Sequence, residues 1–188
     1  MPLTTLSPLA TRSRVLNVTF NMKRIPLTKG KYAIVDDGDY EWLNRWKWHL
    51  SRSGRRTHYA IRTLNLGHGR KNRHTKTVYM AREIVRAMAK DICDHKNGNG
   101  LDNRRCNLRL CNAGENARNR PNVLSIKGKR VSSKYKGVYR NQGKWQTNIT
   151  FEGKRWSLGR FDNEMDAAQQ YNIAAQLLYG DFCYLNDI

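Results

Sequence analysis

One stretch, residues 92–120 (ICDHKNGNGLDNRRCNLRLCNAGENARNR), crowds a carboxylate, an imidazole and several amides into an otherwise basic chain. Phosphodiester hydrolysis needs an activated water, neutralisation of phosphate charge and help for the leaving oxygen. His95 suits the role of general base, because an imidazole titrates near neutral pH. Asp94 is a hard oxygen ligand of the kind Mg²⁺ takes one or two of, leaving other positions to water and phosphate. Asn116 offers a carbonyl oxygen from the segment that follows, so that Asp94 and Asn116 can share one metal. Asn107, on the return side of the NGNGLDN turn, is expected opposite Asp94 and His95, holding the imidazole by a hydrogen bond. Neighbouring residues of a strand point to opposite faces, so Asp94 and His95 are expected to be separated by a bend or bulge. Spacing alone also admits another reading, a surface turn with asparagines that merely cap.

These residues need elements to position them. The turn-forming run and the alternating CNLRLC predict a hairpin, and Asn112 with Glu115 predicts a capped helix after it. In front, AREIVRAMAK (81–90) predicts a helix with Ile84, Val85 and Met88 as its apolar stripe. Further upstream, 18–28 and 31–35 read as strands, and Asp37 or Asp39 as the cap of a helix carrying Tyr40, Leu43 and Trp46. Trp42, Trp46 and Trp48 read as core. THYAIRTLN and HTKTVYM read as a hairpin with a cationic tip, where Arg52, Arg55, Arg56, Arg70, Lys71 and Arg73 can contact phosphate. Residues 121–133 have the composition of a linker. Beyond it, KYKGVYRN, KWQTNITFEG and KRWSLGRF read as three strands. NEMDAAQQYNIAAQLLYG reads as a helix capped by Asn163 and stopped by Gly180, its inner face carrying Ala167, Tyr171, Ala174 or Ala175, and Leu178.

The 188 residues carry a formal net charge of +20. Lys and Arg outnumber Asp and Glu sixteen to four in 1–77, nine to five in 78–120 and ten to six in 121–188. A field of that sign attracts polyanions, nucleic acid first among them. No apolar run approaches the roughly 20 residues of a membrane span, and the N-terminus lacks the pattern of a signal peptide. The expectation is a cytoplasmic protein of a host cell, not secreted. Cys93, Cys106, Cys111 and Cys183 form no CxxC pair, which argues against structural zinc. The first three are expected to be buried small side chains.

The run from Asp94 to Arg120 closely resembles the HNH motif of phage and intron-borne homing endonucleases: Asp-His, a Gly/Asn/Asp-rich turn, Asn-Leu-Arg, then a helix with a metal-binding Asn. The resemblance implies a ββα-metal unit with His95 as base, Asp94 and Asn116 on one divalent ion (Mg²⁺ or Mn²⁺), Asn107 orienting His95, and 5′-phosphate products. A His often stands in that family where this chain has Ala81. Residues 23–50 also look like the lead segment of such proteins. Residues 134–186 resemble the APETALA-type, ethylene-response-factor-like DNA-binding domain through YKGVYR, GKW, LGRF, DAAQQYNIAA and YGDFCYLN. That likeness implies a sheet in the major groove, with Lys136 and Arg155 at contact positions and Arg140 and Lys144 as additions. Tyr139, Thr150 and Ser157 depart from that domain's contact residues. Trp145, Trp156 and Phe161 are left as either core or groove-facing.

The expected architecture is α+β. A flexible 1–17 precedes a small α/β lead unit with the basic hairpin (18–77), the nuclease unit (78–120), a linker (121–133) and a three-stranded antiparallel sheet on one helix (134–188). The expected function is a homing-type endonuclease of double-stranded DNA, monomeric or weakly dimeric and not membrane-bound. The alternatives are a DNA-binding transcriptional regulator with an inactive nuclease unit, or a basic RNA-binding protein.

Overall fold

β1 (Met22–Pro26) and β2 (Tyr32–Asp36) pair antiparallel, and their inner face buries Ile25 from β1 and the alternate residues Ala33 and Val35 from β2. This is seen in the computed structural model, which describes residues 21–51, 57–67, 74–123, 125–126 and 129–188. Arg52, Arg55, Arg56, Arg70, Lys71 and Arg73 lie outside the described residues, as do the expected flexible 1–17 and the first three positions of the expected strand 18–28. Helix α1 (Asp37–Leu43) follows β2 directly. Neither Asp37 nor Asp39 caps it: Asp36 is the cap residue, without a side-chain bond to the helix, and Asp39 accepts from Trp42 Nε1 and from Arg105. The helix ends at Leu43, before Trp46, which is half exposed, while Trp48 is buried with its indole donating to Leu43 O.

β3 (His49–Leu50), β4 (Ala60–Asn65) and β5 (Thr75–Tyr79) form a second antiparallel sheet. Helix α2 is shorter than its periodicity predicts, Met80–Ile84, because Arg86 turns into the left-handed region at φ 51°. Arg82 then donates to Met88 O and Asp91 O, closing the turn and leaving Met88 exposed. The chain enters β6 (Ile92–His95), which pairs with β7 (Leu108–Cys111), and α3 (Ala113–Arg118) follows. Asn112 and Glu115 make the expected reciprocal cap of α3. Ile25, Val35, Leu43, Trp48, Val78, Met80, Ile84 and Leu108 share one core, so the lead strands and β7 pack together.

The predicted linker contains a short pair, β8 (Ser125–Ile126) and β9 (Lys129–Arg130). β10 (Val138–Asn141), β11 (Lys144–Phe151) and β12 (Lys154–Phe161) form the third sheet, in that order, and α4 (Glu164–Tyr179) packs on it. Asn163 caps α4 by accepting from Met165 N, and Gly180 ends it at φ 54°. Ala167, Tyr171, Ala174 and Ala175 are buried as expected, but Leu178 is 36% exposed. Trp145 and Phe161 pack toward this helix, whereas Trp156 is 54% exposed.

The approach of sheet to helix depends on Gly137. Its φ is +78°, and a Cβ there would stand 2.2 Å from Cδ2 of the buried Tyr171 and 2.7 Å from Asn148 O. Gly137→Ala must therefore strain the backbone and push Tyr171 out of its seat. A loss on the order of 3 kcal/mol is expected from overpacking and the positive φ together, seen as a lowered urea midpoint. An unchanged midpoint would show that the ring is not fixed there.

Candidate active site

Strand β6 carries both reactive groups with no register shift: Asp94 pairs with Arg109 and His95 with Leu108. The expected bulge is absent, and strand alternation sends the two side chains to opposite faces. Cys93 and Leu108 join the main core, so His95 lies on the core side and Asp94 on the other. Both are buried, Asp94 at 8% and His95 at 6% exposure.

Asp94 is fixed from three directions. Arg109 donates to its Oδ2 from Nε at 2.9 Å and from Nη2 at 2.6 Å. Asn119, just past the end of α3, donates from Nδ2 to Oδ2 at 3.0 Å, to Oδ1 at 3.2 Å and to His95 O at 3.1 Å. Asn116, the expected partner of Asp94, makes no side-chain hydrogen bond with the described residues; the residue one turn later takes its place. Arg109 also donates to Asp181 O and lies 4.2 Å over the Phe182 ring, linking the site to the turn after α4.

His95 sits 5.8 Å from the Tyr59 ring and shares a 3.3 Å hydrogen bond between Nε2 and Asn103 Oδ1. Gly100 permits the Tyr59 ring to come this close to the turn, since a Cβ would meet that ring at 2.5 Å. Burial pulls the imidazole below its usual 6.5, and Asn103, Asp94 and Asp102 oppose that shift. Asn107 does not touch His95. Its Oδ1 accepts from Asn97 N at 3.0 Å and its Nδ2 donates to Asp102 O at 2.7 Å, so it closes the turn instead. Being one residue beyond the Leu108 that faces His95, it cannot also lie opposite Asp94.

The turn is braced against the lead strands. Arg105 donates to both Asp39 oxygens at 2.7 Å, and its backbone N–H donates to Asp36 Oδ2 at 2.7 Å. Asn103 N donates to Ile34 O at 2.7 Å. Cys106, in this turn, is exposed, and Cys93 and Cys111 are only partly buried, so the expectation of buried thiols fails for Cys106 and is met only in part by the other two. Cys93 is pushed up to about 11 by burial and stays a thiol.

The cations expected on the third sheet divide. Lys136 turns to α3, donating from Nζ to Arg118 O at 2.5 Å and Arg120 O at 2.7 Å, and so satisfies carbonyls a helix end leaves open. Burial pushes its ammonium down to about 8. Arg140 pairs with Trp145 on the helix side and lies 5.0 Å over its ring, not on the outer face. Lys144, paired with Asp162 at 2.9 Å, and Arg155 are on the outer face with Asn148 and Thr150. A register shift between Thr147 and Asn148 brings Arg160 to that face as well, opposite Gln146. Strict alternation would put Arg155 and Arg160, five residues apart, on different faces, which is why sequence reading missed Arg160.

Asn103, Arg109 and Asn119 were missed as well. Only Arg109 left a sequence signal, as a cation placed for cross-strand pairing with Asp94. Among the described residues no group of three or more His, Cys, Asp or Glu gathers, and no helix is long and apolar enough to cross a membrane. No protein-family model matches the chain. The chain is similar to an uncharacterized HNH endonuclease of Acanthamoeba polyphaga mimivirus, 29% identical over 161 residues, covering 85% of this chain and 77% of that protein.

Proposed function

We propose that this chain is an HNH-type endonuclease of homing type, cutting double-stranded DNA with one divalent metal. The observation that carries the reading is a buried carboxylate and a buried imidazole at successive positions of one strand, each held by its own asparagine, in a chain of charge +20. The relative named as an HNH endonuclease supports the nuclease part of it.

The donor set fits Mg²⁺ or Mn²⁺. One carboxylate with nearby amides is the hard, sparse set these ions accept, and Asp94 Oδ1 carries only one long amide contact. Asp94 would hold the ion, with the amide oxygen of Asn119 or Asn116 once either turns its carbonyl inward. Such an ion neutralises phosphate charge and favours departure of the leaving oxygen. His95, neutral because burial lowers it, takes the proton of the attacking water. Since Asp94 and His95 face opposite sides, the phosphate must reach both across the carboxyl end of β6.

Supercoiled plasmid should be nicked or linearised with Mg²⁺ or Mn²⁺ and left intact with a chelator. No cutting under any divalent metal would remove this reading. It would favour the second, a DNA-binding regulator with an inactive nuclease unit, to which the Arg109 guanidinium seated on Asp94 lends specific support.

The outer face of β10–β12 serves as a second DNA contact in this proposal, through Lys144, Arg155 and Arg160. Arg155→Ala with Arg160→Ala should weaken duplex binding and flatten the log K against log salt slope by about 2, from roughly 0.9 per phosphate contact. Arg140→Ala should do little, being on the helix side. If Arg140→Ala weakened binding and the double variant did not, the faces would be misassigned.

A further inference from the structure

We infer that Asn103 is the positioning residue of His95, fixing the imidazole as its Nε2–H tautomer and leaving Nδ1 as the atom that accepts a proton. The inference rests on the endonuclease reading for its consequence, though not for its geometry.

Asn103 is 1% exposed, and its Oδ1 lies 3.3 Å from His95 Nε2. Its amide Nδ2 is fully buried with no partner among the described residues. A buried amide nitrogen without an acceptor is unfavourable, and most buried polar side chains avoid that state. What the residue retains at this cost is its acceptor, and the acceptor is on the imidazole. An oxygen facing Nε2–H suits a base, because the bond persists when Nδ1 takes up a proton. The reversed amide would set an N–H group against the ring N–H in that state.

The other ring nitrogen is accessible. His95 Nδ1 makes no hydrogen bond with the described residues, yet among them only Arg62 Nε and Asn103 Nδ2 are sealed and unpartnered. The small exposure of His95 therefore includes Nδ1, where a water can meet it.

The carrier of Asn103 is rigid. Its own N–H is bonded to Ile34 O, and its neighbour Asp102 bridges to Ile34. Asp102 also takes Arg104 Nε at 2.7 Å, Asn97 Nδ2 at 2.9 Å and, on its carbonyl, Asn107 Nδ2. Asn107 thus acts on His95 at one remove, through the loop that presents Asn103.

The test reads the tautomer directly. In ¹⁵N-histidine-labelled full-length protein at about pH 8, where a histidine is neutral, His95 should show a protonated Nε2 and an unprotonated Nδ1, its signals assigned by their absence in His95→Gln. Asn103→Ala should give a tautomer mixture, and Asn103→Asp should restore Nε2–H. Single-turnover cleavage should fall on the order of a hundredfold in Asn103→Ala, as for other residues that orient a functional histidine, with DNA affinity kept and partial rescue in Asn103→Asp. A wild-type His95 protonated at Nδ1, or a tautomer unmoved in Asn103→Ala, overturns the inference. Should Asn103→Ala fail to fold, the wild-type spectrum alone decides. The predicted tautomer in a protein that cuts no DNA would sink the endonuclease reading and leave the hydrogen bond standing.

Discussion

Replacing His95 by alanine is expected to lower the single-turnover rate of DNA cleavage by about 10²–10⁴-fold, the usual contribution of a positioned acid or base. Duplex affinity should stay near wild type, because the cations proposed to meet phosphate lie elsewhere. The pH profile should carry the signature of the same group. Burial holds His95 below 6.5, so the neutral form competent as a base persists to lower pH than for an ordinary histidine. The acid limb of kcat/KM is expected to bend below 6.5, and a cation on Asp94 would move it the same way. The stability consequence has a definite sign. With the folded value below the unfolded one, the unfolded chain binds more protons between the two, so stability falls as pH drops through that window. Equal cleavage by His95→Ala would remove His95 from the chemistry, and an acid limb above 6.5 would contradict its buried, lowered state.

Much of this site was legible because local patterns and local structure agree. The Asn112–Glu115 cap, the hairpin around NGNGLDN and the three strands before α4 all appear where turn and period predict them. Side-chain partners were harder, because they depend on register and on distant segments. Asn107 was expected on His95, yet β6 pairs so that Leu108 faces that ring. The asparagine that reaches His95 is Asn103, carried by a loop fastened to Ile34 some seventy positions earlier. Asn119 rather than Asn116 meets Asp94, because the contact comes from the residue after α3 and not from its body. Lys136 reads as a free surface cation, but the chain brings the end of α3 beneath it. A single bulge in β12 brings Arg160 to the outer face, while the regular pairing of β10 with β11 sets the expected Arg140 on the helix side. Alternation predicts which residues share a face only until the ladder slips.

Arg109→Met is the variant expected to cost most stability. The side chains of Arg109 and Asp94 are only 9% and 10% exposed and joined at 2.6 Å, so removing the guanidinium strands a buried carboxylate. The expected loss is about 3–5 kcal/mol, against a total for a domain of this kind of about 5–15 kcal/mol. Loss of the contacts to Asp181 O and the Phe182 ring adds to it by loosening the turn after α4. Adding Asp94→Leu should recover part of the loss, since both charges are then gone, and urea midpoints of the two single variants and the double variant measure it. The same ion pair sets the conditions for metal. Arg109 already neutralises Asp94, so a divalent ion must compete with it or share the carboxylate through Oδ1. In Arg109→Met the carboxylate has no cation, and binding to the native state alone raises stability in proportion to affinity. Mg²⁺ should therefore raise the melting midpoint of Arg109→Met more than that of wild type, and should lose this effect once Asp94→Leu is added. A wild-type-like midpoint in Arg109→Met, or an equal response to Mg²⁺ in both proteins, would mean that Asp94 is neither strained by its burial nor open to a metal, and the assignment of Asp94 as ligand would fall with it.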